Sequence, residues 1–237
     1  MQRKLIGLAL ASWALSSCGN AQASQTLIPA LEKLAAQDNA EAVYHLGMAY
    51  QTGAGLPKDS SKAFEAFRRA AELGDVLASY KLGCFYDGQG AGLVQDDPEL
   101  ALRYKLVAAE AGYALAQQDV AALYAAREEF ESAVSWLENA MEQGWPDALA
   151  TYASVHNGAN GIEPDPVKAA AYFRIYIDRT DGSVQQREWL SDLERKLSPD
   201  EKRRVEEVVD SYRAAPNAIT VRALSGQRAA EALISRP

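Results

Sequence analysis

The sequence predicts an all-α chain, a solenoid of antiparallel helix pairs with capping helices at both ends. Three observations predict it. A two-part segment recurs four times between Glu41 and Thr180, small residues return to one helical register in each copy, and Asp-Pro pairs mark where helices begin. With 48% apolar and 24% charged residues over 237 positions, the composition is that of an ordinary folded chain.

Residues 1–17 stand apart from this pattern. Arg3 and Lys4 precede an apolar run from Leu5 to Leu15, the form of an export signal. Eleven residues rise roughly 16 Å as a helix, short of the roughly 30 Å hydrocarbon core, so the run is read as a leader and not a permanent span. The tetrapeptide Leu15-Ser16-Ser17-Cys18 resembles the lipobox of bacterial lipoproteins. That resemblance implies lipidation at Cys18, with Gly19 in place of the Asp that favours inner-membrane retention. The expectation is a periplasmic protein tethered to the outer membrane. Ala21-Gln22-Ala23 offers an ordinary secretory cut as the alternative. Loss of residues 1–17 removes two cations and no acid, taking the net charge from −8 to −10. Such a balance argues against nucleic acid as a partner.

Residues 18–26 read as a linker and 27–40 as an N-terminal capping helix, centred on LIPALEKLAA. The repeats occupy 41–182. Their first helices read AVYHLGMAYQTG, ASYKLGCFYDGQG, AQQDVAALYAA and ALATYASVHNG. Gly47, Gly83, Ala121 and Ala153 share one register in them. Glycine inside a helix costs about 1 kcal/mol relative to alanine, so its reuse points to a close helix crossing. In the second helices Ala63, Ala101, Ala133 and Ala169 each start an apolar stripe with an aromatic at +3 or +4. Gly74, Gly112 and Gly144 close three of them, and the fourth runs on to Gly182. Asp59, Asp97-Pro98 and Asp165-Pro166 supply N-caps, two of them with proline at the first helical position.

The Leu-Gly-x-x-Tyr first helix, the glycine turns at residues 53–55 and 88–92, the Asp before the second helix and its closing Ala-Ala-x-x-Gly resemble Sel1-like repeats, relatives of tetratricopeptide repeats. The third copy lacks the glycine turn and the fourth has His156 in place of Tyr. The resemblance implies a right-handed superhelix whose first helices line a concave face. Transferring the tetratricopeptide register places Tyr44, Met48, Gln51, Tyr80, Cys84, Asp87, Gln118, Ser154 and Asn157 on that face as candidate partner contacts. Tyr, Met and amide side chains suit adaptable protein or peptide contacts.

Downstream, residues 183–215 read as two capping helices. Trp189, Leu190, Leu193 and Leu197 share one side of the first, and Ser198-Pro199-Asp200-Glu201 opens the second with a capping box. Residues 216–237 read as a weakly ordered tail with one helix from Gly226.

No catalytic or metal-binding constellation emerges. His45 and His156 sit in different repeats without a ligand-spaced cluster, Cys84 has no activating neighbour in sequence, and the glycines of 88–92 are not followed by Lys-Ser/Thr. The reading is a monomeric, cofactor-free, non-catalytic module binding a protein or peptide in the cell envelope, with the membrane reached through a lipid anchor if Cys18 is modified. The competing reading is a peptidoglycan- or β-lactam-directed envelope enzyme or sugar binder. Cysteine-rich Sel1-like proteins associated with β-lactams pair thiols between helices, and this chain has no such pairs.

Overall fold

The computed structural model describes the backbone of residues 21–236 except 91, 160 and 161, and side chains from Thr26 onward. The leader and Cys18 lie outside the described residues. Among the described residues all regular structure is helical, an α-solenoid fold of paired helices.

The chain forms two compact units: one takes the residues up to Tyr113 together with those from Ala218 onward, and the other is Ala114–Asn217. In the first unit α1 (Ala21–Ala35) precedes two helix pairs, α2 (Ala40–Thr52) with α3 (Ser60–Glu72) and α4 (Val76–Cys84) with α5 (Pro98–Glu110). In the second unit α6 (Ala114–Ala126) pairs with α7 (Phe130–Glu142) and α8 (Pro146–His156) with α9 (Pro166–Thr180), followed by α10 (Val184–Arg195) and α11 (Pro199–Ser211). Residues from 218 onward return to the first unit as α12 (Ala218–Ser225) and α13 (Gln227–Ile234).

The start signals work as the local chemistry dictates. Asp59, Asp97 and Asp165 have extended backbones and accept from the amides of Lys62, Leu100 and Lys168 at 2.9–3.0 Å. Each satisfies a donor that the first helical turn cannot. Asn39 and Asp75 do the same for the first helices α2 and α4, and Ser183 makes a second capping box with Gln186. Gly74, Gly112 and Gly144 take positive φ at the ends of α3, α5 and α7. After α9 it is Asp181, at φ 52°, that turns left-handed, one residue before the expected glycine.

The small register is where helices cross. A Cβ on Gly47 would lie 2.7 Å from the Phe67 ring, and one on Gly83 would lie 2.6 Å from Lys105 Cγ and 3.0 Å from the Ala101 carbonyl oxygen. The alanines opposite, Ala63, Ala101, Ala133 and Ala169, are all buried. Aromatics fill the space beside the crossings, Phe67 against Tyr44 at 5.9 Å between ring centroids and Tyr86 stacked on Tyr104 at 5.8 Å. In the second unit Val167, Ala170 and Ala171 of α9 join Leu193, Leu197 and Val205 in one buried cluster. Tyr212 beyond α11 donates its hydroxyl to the Met141 carbonyl oxygen at 2.7 Å.

The tail departs from expectation. A helix follows Gly226 as read, but α12 before it is a second one, and residues of both are buried: Thr220, Gln227, Ala230 and Leu233.

Candidate partner-binding surface

Of the nine positions placed on the first-helix face, six lie in the first unit and three in the second. In the first unit Tyr44, Met48, Tyr80 and Cys84 are 7, 2, 6 and 8% exposed, buried and not open on a groove. The tail supplies part of the cover. Ala223 of α12 lines the same small cavity as Tyr44, Met48, Leu77, Tyr80 and Tyr113. The neighbouring Arg222 guanidinium sits 5.3 Å from the centre of the Tyr44 ring, a cation–π arrangement.

Arg222 is held by two carboxylates of the first helices. Its Nη2 donates to Asp75 Oδ2, and its Nε lies 3.4 Å from Glu41 Oε1. Asp75 is buried and divides its oxygens, Oδ1 capping α4 and Oδ2 taking the arginine. Glu41 also faces Arg236 at 3.4 Å. His45 next to it, and then Arg222 and Arg236, hold the Glu41 carboxyl below the usual carboxylate range against an opposing contribution from burial. Burial pushes the Tyr44 phenol well up, so it stays protonated. Thr220, two residues before Arg222 in α12, donates its hydroxyl to the Gly112 carbonyl oxygen at 3.3 Å.

The other two positions of this unit sit at helix ends. Gln51 is half-buried in the last turn of α2. Asp87 lies past the end of α4 in a wider π-type turn, Phe85–Gln89, where it pairs with the buried Lys105 and accepts from Gln89 Nε2 at 3.1 Å. Asp87 therefore ties the turn to the second helix of its own pair. In the second unit Ser154 and Asn157 are exposed, Asn157 as the residue that ends α8. Gln118 takes the register of Tyr44 and Tyr80, and the smaller side chains of this copy leave a cavity of about 100 Å³ lined by Gln118, Ala122, Ala125, Val134, Leu137 and Val155, among others. The Gln118 amide oxygen there is buried and makes no hydrogen bond among the described residues.

The roles of Arg222, Asp75 and Glu41 beside the first-helix positions were not legible in the sequence. Asp75 could be read as a helix start, since it precedes α4 as Asn39 precedes α2. Nothing local marked Arg222 as its partner.

Among the described residues no group of three or more His, Cys, Asp and Glu is placed to hold a metal ion, and no helix is long and apolar enough to cross a membrane.

These features define a helical-repeat protein whose first-helix face, in one unit, holds a helix of the same chain. The Sel1 repeat model matches residues 40–75, 76–113 and 146–175, and passes over the third copy, which lacks the glycine turn. Among solved structures, a Sel1 repeat protein from Oxalobacter formigenes aligns at 25% identity over 77% of this chain and 77% of its own, with a TM-score of 0.61. A protective antigen of uropathogenic Escherichia coli strains displaying an SLR fold aligns at 22% identity over 87% of this chain, with a TM-score of 0.48, and this chain spans 50% of its length. No curated protein matches the sequence. Sel1 repeat proteins typically mediate protein–protein interactions, and the fold is generally non-catalytic.

Proposed function

We propose that this chain is a non-catalytic interaction module of the bacterial cell envelope that takes a protein or peptide partner on the faces of its first helices. The observation that carries the reading is α12: the surface formed by Tyr44, Met48, Tyr80 and Asp75 already receives a helix through an arginine, an aromatic face and a small residue. Tyr and Met supply adaptable apolar contact, and the paired carboxylates supply direction. The export leader and the Leu15-Ser16-Ser17-Cys18 tetrapeptide support the envelope location.

Photo-crosslinking in cells tests the surface. A photoreactive residue at Ser154 or Asn157, both exposed on the first-helix register, is expected to yield discrete adducts with another protein. The same probe at Arg103 or Glu131, exposed on second helices, is expected to yield none. Adducts from neither pair, or the same adducts from both, would remove the proposal.

A further inference from the structure

We infer that the first-helix face of the first two repeats is a receptor for an arginine-bearing helix of a partner protein, and that α12 occupies it as an exchangeable internal ligand. The inference rests on the first-helix faces being the binding surface and names the partner's chemistry.

Three features specify the ligand. Asp75 and Glu41 present carboxylate oxygens to one guanidinium, with the Tyr44 ring beside it. A planar cation with several donors fits this set, and an ammonium would make fewer of its hydrogen bonds. The residue after the arginine is small: Ala223 lines one small cavity with Tyr44, Tyr80 and Tyr113. Two residues before the arginine, a hydroxyl reaches the Gly112 carbonyl. The ligand is a short helix reading hydroxyl, any residue, arginine, small residue.

Exchangeability arises from how α12 is held. Over its eight residues only Thr220 is fully buried, while Val221 and Leu224 are 49 and 44% exposed. Its attachment is polar, through Arg222 and Thr220, whereas α13 buries Gln227, Ala230 and Leu233 and anchors the end of the tail. Segments with little buried apolar surface open locally at low free energy. Release of α12 uncovers an aromatic groove rimmed by two acids.

The test titrates a fluorescently labelled synthetic peptide of residues 216–236 into the full chain and into its Arg222→Glu variant. In wild type the tethered copy competes at high effective concentration. The variant, whose tail is repelled by Asp75 and Glu41, is expected to bind the peptide at least tenfold more tightly than wild type does. A peptide with the same Arg222→Glu change is expected not to bind either chain. Equal binding by variant and wild type, with unchanged far-ultraviolet circular dichroism, or equal binding of the two peptides, would overturn the inference. If Arg222→Glu does not fold, Arg222→Ala is titrated and read in the same way. Crosslinks from Ser154 and Asn157 report on the other unit, so their persistence alongside a failed titration would sink only the arginine-helix assignment.

Discussion

His45 and His156 occupy buried positions in first helices, 1 and 7% exposed. Burial holds both imidazoles below their ordinary value of 6.5, and at His156 the Lys168 ammonium adds to it. His156 packs edge-on to Tyr152 at 4.4 Å, and neither of its ring nitrogens makes a hydrogen bond among the described residues. A residue whose folded-state pKa is depressed contributes stability in full above the unfolded value and loses it as pH falls through the folded one. Below about 6.5 the unfolded chain therefore takes up more protons at these sites than the folded chain, and stability declines with acid. Glu41 is depressed as well, but its contribution disappears only below the carboxylate value of 4.5. Thermal melts from pH 7.5 to 5.5 should show His156→Gln with a flatter profile than wild type, whatever the change in absolute Tm. Both proteins share the general relief of acidic repulsion, so the difference in slope isolates the histidine; equal slopes would contradict its neutral burial. His156 was readable in the sequence as the odd residue at a tyrosine position. Its burial is a matter of neighbours far along the chain.

At the scale of elements, the legible features were local. Helix starts depend on a side chain reaching an amide two or three residues on, and helix ends on a residue tolerating positive φ, so Asp97-Pro98, Asp165-Pro166, Ser198-Pro199 and the closing glycines could be read directly. Crossings were legible for another reason: glycine at a helix interior is a cost that must have a cause, and at Gly47 and Gly83 the cause is a side chain or backbone of the partner helix within 3 Å of the missing Cβ. Replacing Gly83 by leucine should overpack the α4–α5 crossing at about 1–3 kcal/mol, read as a fall of several degrees in Tm by circular dichroism. An unchanged Tm would place the crossing elsewhere. The helix α12 was illegible by the same logic. Its apolar residues Val221 and Leu224 stay exposed, and its chief anchor joins Arg222 to Asp75 across 147 positions of sequence. The positions it covers were read from the register of the first helices as open, because their cover lies at the other end of the chain.

For the whole molecule, the proposed function joins an interaction surface to an envelope location. The location rests on residues 1–18. Cys18→Ser should move the protein from the membrane pellet to the soluble fraction on cell fractionation, since a lipid anchor holds through its buried methylenes; an unaltered distribution would remove lipidation as the tether. The surface rests on the first-helix face of the first unit being closed by a helix that can leave. Hydrogen exchange on the intact chain measures that most directly. Amides of α12 are expected to exchange at least tenfold faster than the buried amides of α2 and α4, and Arg222→Ala is expected to speed α12 further while leaving α8 and α9 unchanged. Exchange of α12 in step with α2 and α4, or indifference of α12 to the loss of Arg222, would contradict an exchangeable cover.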